Sequence, residues 1–145
     1  MNTLQVANEL FMPQVRRLIA DGHTVHMPVR GRSMRPFIDE KRDTVILKAI
    51  DKPRMYDAVL AENTPDHYVL HRIIAIEGDN ITLQGDGNIC GVEHCTPADI
   101  LGVVEYYVYP HGKVHASRLR FLTICWRYLR PIRRYILFLF KLCGR

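Results

Sequence analysis

The sequence lacks the long apolar run of a transmembrane helix. Its best uninterrupted apolar stretch is Tyr135 to Phe140, far short of the roughly 20 residues that span a bilayer. A secretory signal is also missing, because Glu9, Arg16 and Arg17 interrupt the N-terminal segment, where such a signal would be apolar. We therefore expect no membrane-spanning helix and no export by that route. Internal repeats and low-complexity stretches are absent too, which excludes a repeat architecture.

Cysteine is too scarce to supply a disulfide framework. The chain has four cysteines in 145 residues, and a chain of that length can bury a hydrophobic core of its own. Cys90 and Cys95, with His94 beside the second, have a spacing that suggests a metal site, but no second pair of ligands follows. We expect no metal ion and no cofactor. The length and the 48% hydrophobic content predict a single globular unit.

Acidic residues are missing from the C-terminal segment. Residues 118–145 contain eight basic residues and no acidic one, whereas residues 1–117 contain twelve basic and fifteen acidic residues. The excess positive charge is thus confined to the tail, and we expect no nucleic-acid partner. The chain divides into a β domain with a short N-terminal helix at 1–117 and a basic amphipathic helix at 118–145. Partners are expected at that helix.

Short apolar runs predict a mainly β fold between two terminal helices. Apolar spacing predicts a helix over Leu4–Ala20, with Gly22 as its stop. Beyond it, the period of the apolar residues changes to that of strands. The segment Gly78-Asp79-Asn80 predicts a three-residue hairpin loop between the fourth and fifth strands. The six predicted strands are Thr24–Val29, Asp43–Ile50, Tyr56–Glu62, Tyr68–Glu77, Ile81–Gln84 and Leu101–Tyr109.

Residues 117–143 return to helical spacing, with a kink expected at Pro131. One interpretation is a helix packed on the sheet with its basic side in water. The other is an interfacial helix whose apolar stripe enters a membrane while its cations meet anionic headgroups. The wholly basic character favours an anionic membrane surface as the partner of residues 118–143. The apolar stripe is Phe121, Cys125, Tyr128, Leu129, Ile132, Ile136, Leu139, Phe140 and Cys143, and the basic stripe is Arg120, Arg127, Arg130, Arg134 and Lys141.

Three short motifs carry residues suited to chemistry. The turn Gly31-Arg32-Ser33-Met34-Arg35-Pro36 follows a predicted strand and can expose a serine hydroxyl beside backbone N–H groups. His71 interrupts the apolar strand 68–77. Gly85-Asp86-Gly87-Asn88 ends the next strand in what looks like a tight turn. Taken singly, each motif is more often structural than functional.

Taken in this order, the motifs resemble the serine endopeptidases of the signal peptidase I and SOS-repressor superfamily. Gly31-x-Ser33-Met34-x-Pro36 is similar to the nucleophile motif of that superfamily, and Asp57-Ala58-Val59-Leu60 to its next block. His71-Arg72 resembles the branch of the endoplasmic reticulum and archaea, in which histidine replaces the lysine base of the bacterial enzymes. The resemblance covers roughly residues 24–108. It implies a compact, twisted, mostly antiparallel β-structure with the active site in a groove at one edge.

The resemblance implies a role for each matched residue. Ser33 would be the nucleophile and His71 its base, since a neutral histidine can accept a serine proton at physiological pH. Asp86 would support the imidazole, with Asp79 as the alternative. The oxyanion would be held by the backbone of the turn at Ser33 and Gly31. The flanking Met34 and Pro36 are expected to contact the substrate.

The match departs from the family pattern in two places. The branch with His-Arg usually has a further aspartate shortly after its Gly-Asp motif, whereas this chain has Cys90, Glu93, His94 and Cys95 before Asp99. Signal peptidases also place a membrane span before the nucleophile, and the residues before Ser33 contain none. Any anchor is therefore expected at the C-terminal helix.

These observations predict a membrane-associated serine endopeptidase that cleaves a precursor or leader peptide. The expected substrate is an extended peptide bound beside an edge strand, with small residues before the scissile bond. The alternative is a non-catalytic peptide-binding or membrane adaptor module on the same fold. A self-cleaving repressor is disfavoured because no Ala-Gly pair occurs in the chain. We expect a peripheral membrane location, with the cytoplasmic face favoured over export.

Overall fold

The chain folds into an antiparallel sheet of eight strands with helices at both ends. The computed structural model describes residues 3–143, with side chains for 10–129 and 131–143. This result confirms the predicted mainly β class. The helices are α1 (Thr3–Ala20), α2 (Ala116–Tyr128) and α3 (Arg130–Leu142), with a short 3-10 turn at Pro97–Asp99. The strands are β1 (Val25–Pro28), β2 (Thr44–Lys48), β3 (Ala58–Thr64), β4 (His67–Glu77), β5 (Asn80–Gln84), β6 (Glu93–Cys95), β7 (Ile100–Tyr109) and β8 (Gly112–His115).

The strands follow the order β1-β2-β7-β3-β4-β5-β6, and β8 pairs with β7. All six predicted strands are present, with ends shifted by at most two residues. The sequence missed β6 and β8 because each is only three or four residues long and has no apolar alternation. The hairpin between β4 and β5 is tighter than predicted, since Glu77 pairs with Asn80 and only Gly78 and Asp79 form the loop.

The hydrophobic core lies on both faces of the sheet. Along β3, Ala58 and Leu60 belong to one buried cluster, while Val59 and Ala61 belong to the other, as the alternation of a strand requires. Helix α1 covers the first cluster with Met12, Val15 and Ile19. At Gly102 of β7, an added Cβ would lie 2.9 Å from Ile19 Cδ1. This glycine therefore lets α1 pack closely on the sheet.

The C-terminal segment forms two helices that separate at Leu129, just before the expected kink at Pro131. Helix α2 packs on the β domain through Thr123 and Trp126, which are 0% and 6% exposed. The Trp126 indole N–H donates to Asp86 O at 2.7 Å. No helix within residues 3–143 combines the length and the apolar character needed to cross a membrane.

The structure corrects the predicted orientation of two residues of the basic stripe, both on α2. Arg120 donates to Met55 O at 2.6 Å, and Arg127 donates to Gln84 Oε1 at 2.9 Å. Both arginines therefore bind the β domain instead of facing water. Phe121 and Tyr128 of the apolar stripe are 73% and 79% exposed, which contradicts the interpretation of a helix packed on the sheet through that stripe. The reversal is possible because carbonyl, amide and carboxylate groups on the sheet side supply acceptors for the guanidinium groups.

Trp126 and Tyr128 offer a matched test of this packing. We expect Trp126→Ala to lower the free energy of unfolding by about 3–5 kcal/mol, because it leaves a cavity and an unpaired acceptor. Tyr128→Ala on the same helix should change it by less than about 0.5 kcal/mol. Urea unfolding followed by far-UV circular dichroism measures both values. Equal effects of the two substitutions would contradict the described packing of α2.

Candidate active site

The serine turn lies between β1 and β2 and is held at both ends. Gly31 has a φ of +78°, a left-handed conformation that glycine adopts without strain. Its N–H donates to Glu40 Oε2 at 2.8 Å. On the far side, Ser33 O accepts a 2.7 Å hydrogen bond from Gly87 N. The turn is thus anchored to the Gly85–Asn88 segment that follows β5.

Glycine at position 85 allows the serine turn to approach β5 closely. A Cβ added at Gly85 would contact the Ser33 carbonyl oxygen and lie 2.9 Å from Ser33 Cβ. A Cβ added at Gly87 would lie 3.0 Å from Arg32 O. Any larger residue at Gly85 would therefore push the serine turn away from the sheet. The two glycines of the Gly-Asp-Gly motif have a structural role that the sequence alone did not assign.

Ser33 and His71 lie on the same face of the sheet. The ladder between β4 and β5 pairs Arg72 with Gln84, and one further step on each strand puts Gly85 opposite His71. Side chains of directly opposed residues point to the same face and are neighbours. Ser33 Cβ lies next to the position that a Gly85 side chain would take, on the side of the sheet to which His71 points. Among the described residues, no hydrogen bond joins Ser33 Oγ to His71.

Glu93 is the carboxylate that holds the His71 imidazole. The His71 Nδ1 to Glu93 Oε2 distance is 2.7 Å, with side-chain exposures of 7% and 25%. Glu93 begins β6 and pairs with Leu83 of β5. A carboxylate on Nδ1 accepts a hydrogen bond from the Nδ1–H group, so the neutral imidazole presents the lone pair of Nε2. This tautomer is the one that a general base for serine needs.

Arg72 and Asp86 form a buried ion pair on the opposite face. Arg72 Nε and Nη2 donate to the two Asp86 oxygens at 2.8 and 2.7 Å, and the side chains are 3% and 0% exposed. Arg72 also donates to Tyr56 O at 2.8 Å. Burial by itself would lower the pKa of Arg72, but its interactions with Tyr107 and Asp86 raise that pKa above its ordinary value. The guanidinium therefore stays charged.

The ion pair corrects the prediction that Asp86 supports His71. Successive residues of a strand point to opposite faces, so His71 and its neighbour Arg72 require separate carboxylates. Asp86 lies on the Arg72 face and Glu93 on the His71 face. The alternative, Asp79, lies in the exposed turn after β4, seven residues beyond Arg72. Seven residues span about 23 Å along a strand.

Two other predicted roles, those of Met34 and Gly31, change with the structure, and that of Pro36 stays a prediction. Met34 is 1% exposed in the core beneath the turn, so it anchors the turn and does not face a substrate. The Gly31 N–H is engaged by Glu40 and is not free to hold an oxyanion, which leaves the backbone at Ser33. Pro36 is half-buried and follows a cis peptide bond. Within the described part of the chain, no group of three or more His, Cys, Asp or Glu side chains could hold a metal ion.

Sequence reasoning missed Glu93 as a partner of His71. Its signal was an acidic residue a few positions after the Gly-Asp motif, where the resembling branch carries a further aspartate. The chain finds no match in comparisons with protein-family models, with curated proteins or with solved structures.

The two carboxylates should respond differently to neutralisation. We expect Asp86→Asn to lower the free energy of unfolding by about 3–5 kcal/mol, since it leaves a buried guanidinium without its counter-charge. Glu93→Gln keeps an acceptor on a partly exposed side chain and should cost about 1 kcal/mol or less. Chemical denaturation of the two full-length variants makes the comparison. A larger loss for Glu93→Gln than for Asp86→Asn would overturn the assignment of the two acids.

Proposed function

We propose that the chain is a serine endopeptidase in which Ser33 is the nucleophile, His71 the base and Glu93 the orienting acid. The observation that carries this proposal is the 2.7 Å contact of Glu93 with His71 Nδ1 on the face where Ser33 packs against Gly85. A serine beside the free nitrogen of a carboxylate-held histidine is the arrangement that activates a hydroxyl. The resemblance of the three motifs to signal peptidase-like enzymes supports the same chemistry.

Each group would act on a stated atom. His71 Nε2 removes the proton from Ser33 Oγ as that oxygen attacks the peptide carbonyl, and Glu93 stabilises the resulting imidazolium. The developing oxyanion is held by backbone N–H groups of the turn at Ser33. The imidazolium then donates its proton to the leaving amine, and water hydrolyses the acyl-enzyme ester by the reverse sequence of proton transfers. The products are two shorter peptides.

An extended peptide is the substrate that the strand edges favour. The outer edge of β1 has no strand neighbour among residues 3–143, and β5 pairs only with the Arg72–Glu77 part of β4. The unpaired edge of β1 therefore ends five residues before Ser33, and that of β4 directly precedes His71. A peptide can add its backbone hydrogen bonds to such an edge. A precursor or leader peptide with a flexible cleavage site fits this requirement.

Peripheral binding to an anionic membrane is the second part of the proposal. Helices α2 and α3 expose large apolar side chains that a protein in water would normally cover, and their segment contains no acid. Exposed Arg134 and Lys141 on α3 can meet lipid phosphates. The cytoplasmic leaflet is favoured because it carries the negative surface potential. The exposed apolar residues are Phe121, Leu122, Tyr128, Leu129, Ile132, Tyr135, Phe138, Leu139 and Leu142.

Variants of the proposed dyad test the catalytic claim. We expect Ser33→Ala and His71→Ala each to abolish cleavage of a defined mixture of unstructured ten-residue peptides, read by mass spectrometry. The double variant should be no worse than either single one, because the two residues act as a unit. Ser117→Ala, which changes the only other serine of the chain, should cleave as the wild type does.

Two results would contradict the catalytic claim. Full cleavage by the Ser33→Ala variant would show that Ser33 is not the nucleophile. Peptide binding by the wild type without any cleavage would instead favour the non-catalytic adaptor module.

Charge removal on α3 tests membrane binding. We expect the combined Arg134→Gln and Lys141→Gln variant to bind anionic phosphatidylserine vesicles roughly 30-fold more weakly, since each cation near the surface contributes about 1 kcal/mol. Lys41→Gln with Lys52→Gln removes the same charge from exposed loops of the β domain and should change binding little. Vesicle sedimentation measures both. Equal losses in the two variants, or no wild-type binding, would refute the proposed surface.

A further inference from the structure

Both C-terminal helices bond to the backbone of the Gly85–Asn88 turn. The Trp126 indole N–H of α2 donates to Asp86 O at 2.7 Å. Arg133 Nη2 of α3 donates to Asn88 O at 2.6 Å. Two carbonyl groups of one four-residue turn are thus held by two separate helices. These bonds act on the backbone, so they restrict where the turn lies relative to α2 and α3.

Arg133 is buried at a position where an apolar residue would be easier to accommodate. It is 1% exposed, whereas its neighbours Ile132 and Arg134 are exposed. Of the α3 side chains that the structure describes, Arg133 alone is buried. Removing a guanidinium from water is costly, and a hydrophobic residue of similar volume often gives equal or greater stability. The group that Arg133 binds therefore explains its presence better than the packing of α3 does.

The turn that the helices hold is also the one that holds the serine turn. The Gly87 N–H donates to Ser33 O at 2.7 Å, and the Asn88 N–H donates to Gly85 O at 3.0 Å within the turn itself. A Cβ added at Gly85 would lie 2.9 Å from Ser33 Cβ. The serine turn therefore has both a hydrogen bond and a close packing contact with this segment. A displacement of the segment would move Ser33 with it.

We propose that Trp126 and Arg133 are positioning residues for Ser33. The proposal rests on the serine peptidase function proposed above and makes the C-terminal helices a part of its machinery. Each side chain acts on the nucleophile through the Gly85–Asn88 turn and takes no part in the chemistry. Loss of either bond lets the turn move, and the serine turn moves with it.

The base is held by other parts of the fold. His71 lies within β4, where it pairs with Val59 of β3, and its Nδ1 is bonded to Glu93 of β6. A loosened turn therefore displaces the nucleophile while the base stays in place. A misplacement of about 1 Å between reacting groups can lower a rate roughly a hundredfold. Contacts made far from the reacting atoms can thus control the rate at Ser33.

The kinetics of fluorophosphonate labelling measure the position of Ser33. We expect Arg133→Met in the full-length chain to lower the limiting rate constant of labelling about 10- to 100-fold. The reagent concentration that gives half of this rate should stay within about twofold, because the reagent's own binding is unchanged. Arg133→Lys keeps a cationic donor and should recover part of the lost rate. The control, Arg17→Met, makes the same exchange at an exposed arginine of α1 and should label as the wild type does.

Hydrogen exchange followed by NMR tests the structural step without any chemistry at Ser33. We expect Arg133→Met to speed exchange of the Gly87 N–H about tenfold or more, because its bond to Ser33 O opens more often. The amides of β2, which is paired on both sides, should change little. Trp126→Phe keeps an aromatic ring but removes the indole donor, and it should also speed Gly87 exchange. This second variant keeps the test open if Arg133→Met does not fold.

The outcomes separate this proposal from the peptidase proposal. Wild-type labelling of Ser33 with an unchanged rate in Arg133→Met would reject the positioning role and keep the peptidase. Exchange that speeds up equally at Gly87 and in β2 would also overturn the positioning role, because it shows a general loss of stability. No labelling of the wild type would reject the peptidase. Selective exchange at Gly87 in that case would still support the link between the helices and the serine turn.

Discussion

The buried ion pair of Arg72 and Asp86 joins four parts of the fold. Arg72 belongs to β4 and Asp86 to the turn after β5, while Tyr56 O accepts from the guanidinium ahead of β3. The indole N–H of Trp126 reaches Asp86 O from α2. A charge that is removed from water must be paired wherever it lies. The ion pair with Arg72 therefore fixes the position of the Gly85–Asn88 turn. That turn fixes the position of the serine turn, because the Gly87 N–H donates to Ser33 O.

The same constraint decides which face carries chemistry. Neighbouring residues of a strand point to opposite faces. The ion pair therefore occupies the Arg72 face of β4, and the side chain of His71 points to the other face. His71 is buried with one carboxylate on Nδ1, and Ser33 packs against Gly85 on that side. The site thus depends on two acids with separate duties. Asp86 supports the scaffold, and Glu93 holds the histidine.

Six of the eight strands could be predicted from the sequence, because strands such as β4 and β7 have long apolar runs. Ser33 and His71 could be singled out as candidate site residues because the order of their motifs resembles that of a known family. The partner of His71 was missed, because Glu93 reaches it across β5 from β6, a strand that the sequence did not predict. The inward position of Arg120 and Arg127 on α2 was missed for a related reason. An amphipathic pattern gives two faces, but only the acceptors on the sheet decide that Arg120 and Arg127 turn inward.

The C-terminal helices connect the site to the proposed membrane surface. Arg133 of α3 is 1% exposed and donates to Asn88 O at 2.6 Å, so both helices bond to the turn that supports Ser33. On the outer side of these helices, the side chains of Phe121, Tyr128 and Phe138 are exposed to solvent. A lipid surface that covers these side chains would lie against the back of the same turn. The proposed catalytic site and the proposed membrane surface therefore belong to one structural unit.

The most direct measurement is covalent labelling of the full-length chain with a fluorophosphonate, located by peptide mass spectrometry. The chain has only two serines, and Ser117 is an internal control because His115 Nδ1 lies 2.7 Å from its Oγ, with no carboxylate bonded to that histidine among the described residues. The account predicts an adduct on Ser33, none on Ser117, and loss of the Ser33 adduct in His71→Ala. Labelling of both serines alike, or a Ser33 adduct that persists without His71, would contradict it.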